Sequence, residues 1–224
     1  MIKDIDRIKT ALENGQGAES TSKSFGVLIP IIETPRGLSV LFEVRAASLR
    51  RQPGEICFPG GSTLDGESTT AAAIRETSEE LLIEMSSIEV VKELDVINVY
   101  SGGILRPVVG LLRSLEGFDG ADGIGVGDTD GGERLAFSAD EVAEVFTVPL
   151  SFFLEHEPDY YDIEMRSFPT ADFPYDKIPD GEDYHWDIGH RSVCFYTYRD
   201  KTIWGLTAEI MHDFVKRLKR GGYC

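Results

Sequence analysis

The chain has 224 residues, 42% of them hydrophobic and 10% aromatic, and carries a formal net charge of -17. That length supports one sizeable core with surface decorations, and no apolar run is long enough to span a bilayer. So acidic a surface repels nucleic acid and anionic membranes, so neither is an expected partner, and a phosphate-bearing substrate needs local cations to approach it.

Residues 1–14 place Ile2, Ile5, Ile8 and Leu12 at helical spacing, and Asn14-Gly15 stops that helix. Charges interrupt the stretch, so it does not read as a secretory signal. Residues 15–23 are small and polar and read as a linker, leaving 24–224 as one expected domain. Residues 25–32 and 38–44 read as a hairpin around a turn at 34–37. A basic loop at 46–54 leads to a short strand at 55–58 and a Gly-rich loop at 59–67. Residues 68–84 read as a helix capped by Ser or Thr.

Further strands are expected at 88–99, 104–112, 142–148 and 191–198, with a short helix at 150–155. A last helix at 207–220 puts Ile210, Met211, Phe214 and Leu218 on one face. Its cationic end suits the helix dipole, and Gly221-Gly222 terminates it. Stretches near 117–132 and 167–189 read as surface insertions. In the first, Asp128-Thr129-Asp130-Gly131 is similar to the start of a calcium loop, but the terminal Glu ligand is absent. Cys57, Cys194 and Cys224 are scattered, which suggests neither a disulfide scaffold nor zinc and points to a reducing, cytoplasmic compartment. Hairpin spacing mixed with helices predicts an α/β sandwich with a mixed sheet rather than a doubly wound parallel one.

The most informative stretch is 61–83, GSTLDGESTTAAAIRETSEELLI. On a helix, Glu76, Glu79 and Glu80 stand at i, i+3 and i+4 and share one face, and Glu84 extends the row. Within the helix only Arg75 offers relief from their mutual repulsion. A hard divalent cation, which prefers several oxygen ligands, would supply the rest. Gly60-Gly61 lets backbone come close, so that a Gly60 carbonyl could add a ligand, and Glu67 could swing over the same face. Ala71, Ala72, Ile74, Leu81 and Leu82 are expected to pack against the sheet. An isolated acidic cluster reads as a solvated helix face. The Gly loop, Glu67 and Arg75 together make it read as a metal site.

These residues resemble the Nudix box, G-x5-E-x7-R-E-U-x-E-E-x-G-U with U aliphatic. Gly61, Glu67, Arg75, Glu76, Glu79, Glu80 and Ile83 fall on its positions. Thr77 stands where an aliphatic residue is usual, and Leu82 where Gly is usual. The resemblance implies a Nudix-type α/β/α sandwich and a diphosphate hydrolase using Mg2+ or Mn2+. By the same resemblance Glu76 and Glu80 are the principal metal ligands, Glu79 and the Gly60 carbonyl assist, and Arg75 orients the glutamates. It also implies a homodimer as the assembly to expect. The family often draws a general base from a distant loop. Asp140, Glu141 and Glu144 are candidates here, and Glu141 is preferred.

Upstream, residues 41–61, LFEVRAASLRRQPGEICFPGG, resemble the segment before the box in the coenzyme A pyrophosphatase branch, L-L-T-x-R-S-x-x-L-x-x-H-x-G-x-V-x-F-P-G-G. Glu43 replaces Thr, Ala46 replaces Ser and Gln52 replaces His. Arg45, Arg50 and Arg51 form a cationic patch in an acidic chain and, with Phe58, are the expected substrate-binding residues. The resemblance implies cleavage of coenzyme A to 3′,5′-ADP and 4′-phosphopantetheine. Two alternatives stand beside it. One is hydrolysis of ADP-ribose, NADH or another nucleotide, prompted by Gln52. The other is a ligand-binding module without turnover, prompted by the two insertions.

Overall fold

The computed structural model describes residues 23–34, 37–99, 102–113, 124–125 and 136–223. The helix expected at 1–14 and most of the insertion at 117–132 lie outside them. The described chain runs β1 (Ser24–Thr34), β2 (Gly37–Arg45), β3 (Ile56–Cys57), β4 (Gly60–Ser62) and α1 (Thr69–Leu81). Then come β5 (Ile88–Glu93), β6 (Ile97–Asn98), β7 (Ile104–Leu112), β8 (Ile124–Gly125), β9 (Val142–Pro149) and α2 (Leu150–Glu155). It ends with β10 (Asp159–Met165), β11 (Gly189–Tyr198), β12 (Lys201–Trp204) and α3 (Gly205–Arg220).

The central sheet has the order β5-β7-β1-β2-β9-β8, with β3 on β2, β4 on β1 and β6 on β7. It is mixed, as expected: β1 runs parallel to β7 and antiparallel to β2. Both faces of β1 and β2 are covered, which explains why their sequences are near-continuous apolar runs. Successive side chains point to opposite faces. Leu28, Ile32 and Leu41 meet Ala73 and Leu81 of α1 on one side. Ile29, Val40 and Phe42 meet Phe153 of α2 and Met211 and Phe214 of α3 on the other. The result is the α/β/α sandwich anticipated from the sequence. A second sheet, β10-β11-β12, stands beside it.

Some expectations need correction. The strand at 88–99 splits into β5 and β6, because Leu94 between them turns into the core. The Gly-rich loop contains β4, which its glycines hide from propensity arguments. β10 has no fully buried residue, so it carries no periodic apolar signal. The carboxylate helix stops at Leu81, not Glu84, so Glu84 does not extend the acidic row. Its core residues include Ala72, Ala73, Thr77 and Leu81, while Ala71 and Leu82 are exposed. The Thr77 hydroxyl donates back to the Ala73 carbonyl at 2.6 Å, which satisfies it inside the core.

Leu82 adopts a left-handed conformation, φ 50 and ψ 40, at the position where the box pattern has glycine. The left-handed stop is retained although its side chain disfavours it by roughly 1–2 kcal/mol. Leu82 is also 59% exposed, so little packing is lost by removing it. Leu82→Gly should therefore stabilise the chain by about 0.5–1 kcal/mol, after the larger backbone entropy of glycine is deducted. Denaturant titration reads this, and a destabilised variant would show that Leu82 contributes packing instead.

Candidate active site

Two close backbone approaches seat α1 on the sheet. A Cβ at Gly26 would overlap the Thr69 carbonyl, so only glycine lets the first turn of α1 lie on β1. A Cβ at Gly61 would come within 2.5 Å of the Glu76 carboxyl carbon, so the missing side chain leaves the room that carboxylate occupies. Ser68 caps the helix, its hydroxyl accepting from the Ala71 N–H at 3.1 Å. From this base α1 directs Glu76 and Glu80 toward the Gly60-Gly61 strand. Glu79 is more exposed, at 58% of its side chain.

Arg75 is the hub of the outer half. Its guanidinium grips Glu67 with two bonds, Nε to Oε1 at 2.9 Å and Nη2 to Oε2 at 3.0 Å. Nη1 pairs with Glu76 at 2.9 Å and Glu79 at 3.1 Å, and Nη2 also reaches the Ser62 carbonyl. The planar fork thus ties three box carboxylates to the loop. Glu67 lies over this face, but it engages Arg75.

The inner half is buried and lacks such a partner. Glu80 is 4% exposed, and its Oε2 accepts from the Gly60 N–H at 2.9 Å. Gly60 thus meets the site through its amide N–H. Burial, and then the charge of Glu43, push the Glu80 carboxyl well above the usual carboxylate range. Glu43, 1% exposed on β2, is raised chiefly by burial, with the charges of Glu141 and Glu76 adding to it. Cys57 donates its S–H to Glu43 Oε1 at 3.2 Å, while Glu43 Oε2 has no hydrogen-bond partner among the described residues. The sequence reading passed over Glu43 as a replaced threonine. An acid within the buried run of a central strand was the available signal, because such a group is rare without a partner.

The other expected site residues divide. Glu141 sits in the turn before β9, where its N–H and carbonyl bind Ser138 and Ala46. That turn is tied to α1 by the Ser138 N–H on the Glu80 carbonyl, so the charge of Glu141 bears on Glu80. Glu144 is instead paired with Lys201 at 2.7 Å. Arg45 ends β2 next to the buried acids, its Nε on the Arg51 carbonyl at 3.4 Å. Arg50 and Arg51 are exposed. Phe58 is a correction: it is buried and stacked on Phe42 at 4.9 Å, so it packs the core and presents no face to a substrate. A cavity of about 570 Å³ on the α3 side is lined by Phe25, Arg51, Gln52, Arg191 and Trp204, among others. Phe25 packs with the core on that side, whereas its neighbour Gly26 faces α1, so the cavity lies on the face of the sheet opposite the carboxylates of α1. Spacing along the chain does not predict that Trp204 and Arg191 share a cavity with Phe25 and Arg51, because the strands that bring them here are distant in sequence.

Among the described residues, no three His, Cys, Asp or Glu side chains converge into a preassembled metal cage. The reason is visible: Glu67, Glu76 and Glu79 turn to Arg75, while Glu43 and Glu80 repel one another.

The folded chain holds Glu43 and Glu80 above the ordinary value of 4.5, so it binds more protons than the unfolded chain as pH rises past that value. Their contribution is full below it and is lost as pH climbs through the raised values. With Glu43 raised to about 7 and Glu80 to about 9, metal-free protein should therefore lose stability from about pH 5 up to about pH 9. Glu80→Gln should lose less, the gap reaching at least about 1.4 kcal/mol, one pKa unit's worth. Thermal or denaturant unfolding in EDTA measures it, and parallel curves for the two proteins would remove the buried-acid explanation.

Residues 23–117 match the NUDIX domain family. Nudix hydrolase 3 of Caenorhabditis elegans is 28% identical over 224 residues, covering 99% of this chain and 85% of that protein. A relative from Mus musculus, named peroxisomal coenzyme A diphosphatase NUDT7, is 34% identical over 170 residues, 73% of this chain and 64% of that protein. The NudL Nudix hydrolase of Photorhabdus laumondii, whose function is uncharacterized, is 32% identical over 195 residues, 86% of this chain and 83% of its own. The box residues gathered on α1 and these likenesses together show that the chain belongs to the Nudix hydrolase family.

Proposed function

We propose that the chain hydrolyses the diphosphate of coenzyme A or a derivative, in a magnesium- or manganese-dependent reaction yielding 3′,5′-ADP and 4′-phosphopantetheine. The observation that carries this reading is the continuity of the segment 41–61 with the acidic site. Its arginine-bearing strand end, its basic loop and its two glycines run directly into the groove that holds Glu76 and Glu80. The mouse relative named as a coenzyme A diphosphatase supports the same substrate class.

The residues fit a hard divalent cation. The box donors on offer are oxygens, and one buried carboxylate oxygen, Glu43 Oε2, has no hydrogen-bond partner among the described residues. Glu76, Glu79 and Glu80, with the Gly60 carbonyl, would hold the ion. When bound, it offsets the charge on the diphosphate oxygens and makes water a better nucleophile. The chain's own groups do the rest. Arg75 orients Glu76 and Glu79 from outside the reacting centre. Glu141 accepts the proton as the water oxygen attacks one phosphorus. The bridging P–O bond breaks, and its electron pair leaves with the second phosphate, giving two monophosphates. Arg45, Arg50 and Arg51 offer cations to the phosphates of an anionic substrate in a chain that otherwise repels it. The cavity on the α3 side, with Trp204 stacked on Phe195 at 5.8 Å and Arg51 in its lining, has the volume to take part of a small-molecule substrate.

A second substrate reading rests on Gln52. Its amide is bound to Glu55 at 2.8 Å, where the branch pattern has a titratable histidine. ADP-ribose, NADH or another nucleotide would then be preferred.

Incubation with coenzyme A, with metal omitted and then restored, should release both products only when metal is present. Glu80→Gln should lower turnover by about 10²-fold or more. Product chromatography reads both, and kcat/KM across a panel of diphosphates ranks the substrates. Efficient cleavage of other diphosphates, with coenzyme A left intact, would overturn the substrate assignment while leaving the hydrolase standing.

A further inference from the structure

The acid on β2 has no place in the box chemistry, yet it lies on the correct side of the sheet. Val40 and Phe42 face α2 and α3, while Leu41 faces α1. Glu43, two residues beyond Leu41, therefore points to the α1 side, where Glu80 lies. In the antiparallel pairing of β2 and β3, Glu43 stands opposite Cys57. Three residues on, the same segment supplies the Gly60 N–H that holds Glu80. Glu43 and Glu80 thus approach one short stretch of backbone from two different elements.

The two oxygens of Glu43 are unequal. Oε1 accepts the Cys57 S–H at 3.2 Å, which fixes the plane of the carboxylate. Oε2 is buried with no hydrogen-bond partner among the described residues. An ionised oxygen in such a place is strongly disfavoured unless a proton or a cation meets it. Arg45, beyond a bulge in β2, turns its Nε to the Arg51 carbonyl at 3.4 Å; its positive charge acts favourably on Glu43 but leaves Oε2 without a hydrogen bond. Resting on the metal-dependent reading above, we infer that Glu43 is a ligand of the site's divalent cation, contributed by β2 across from the glutamates of α1. Its open oxygen supplies a hard donor from the sheet side, and the ion is thereby held from two elements rather than one helix. The coenzyme A branch pattern has threonine at this position, a neutral residue, so the added carboxylate is a feature of this chain. It increases the negative charge of the site and favours tighter capture of Mg2+ or Mn2+.

The test is Mn2+ binding without substrate, followed by the electron paramagnetic resonance signal of the free ion. Wild type, Glu43→Gln, Glu43→Thr and Glu80→Gln are titrated side by side, with thermal unfolding in EDTA as a control for folding. Wild type should bind Mn2+. Both Glu43 variants should bind about tenfold or more weakly and should unfold in EDTA at the wild-type temperature or above it, since a buried charge has been removed. Wild-type affinity in either folded Glu43 variant overturns this inference alone. Loss of the fold in both variants in EDTA also overturns it, because the carboxylate would then serve the metal-free structure. A wild type that binds no Mn2+, or a Glu80→Gln protein that binds it as wild type does, overturns the metal-dependent reading itself.

Discussion

The structure depends on bringing like charges together where water cannot separate them. Two unit charges 4 Å apart interact by roughly 4 kcal/mol at an effective dielectric near 20, against about 1 kcal/mol in bulk water. Glu43 and Glu80 are both almost fully buried and act on one another. No fold would retain that arrangement for its own stability, since apolar residues of similar volume would serve the core better. The pair therefore holds protons more tightly than free carboxyls do, and the surrounding architecture keeps it assembled. The covered strands β1, β2, β7 and β9 and two helical layers supply that rigidity.

Backbone geometry makes the assembly possible. Gly26, Gly60 and Gly61 remove side chains at the places where α1 meets the sheet edge. Gly60 also takes a φ of 147, a conformation closed to residues with a Cβ, and turns its N–H toward Glu80. A loop with side chains there would hold the helix off the sheet and move the carboxylates outward into water, where their mutual repulsion would fade. Arg75 completes the frame from the solvent side by fixing Glu67, Glu76 and Glu79 to one planar group.

Charge is also divided between the two sides of the sheet end. The chain is acidic overall, yet Arg45, Arg50 and Arg51 follow one another closely after β2, whereas in the cavity Arg191 is paired with Glu209 at 2.7 Å. Arg75 is satisfied internally, whereas Arg50 and Arg51 are exposed. This separates the cations that build the site from those facing solvent beside it. Trp204, stacked on Phe195, adds a flat surface to the cavity on the α3 side.

The linear sequence determined the features that rest on local spacing. The i, i+3, i+4 row of Glu76, Glu79 and Glu80, the Ser68 cap, the apolar runs of β1, β2 and β7, and the α/β/α layering were all legible, because periodicities of 3.6 and 2 are written directly into residue order. Tertiary structure alone decided the rest. Phe58 became core, Glu144 was taken by Lys201, Leu82 kept a left-handed turn, and Trp204 and Arg191 reached the cavity from distant strands. Glu43 shows the reason most plainly. Its neighbour Cys57 is 14 residues away and Glu80 is 37 away, and burial, which removes the solvent screening between such groups, is created only when the strands and helix close over them.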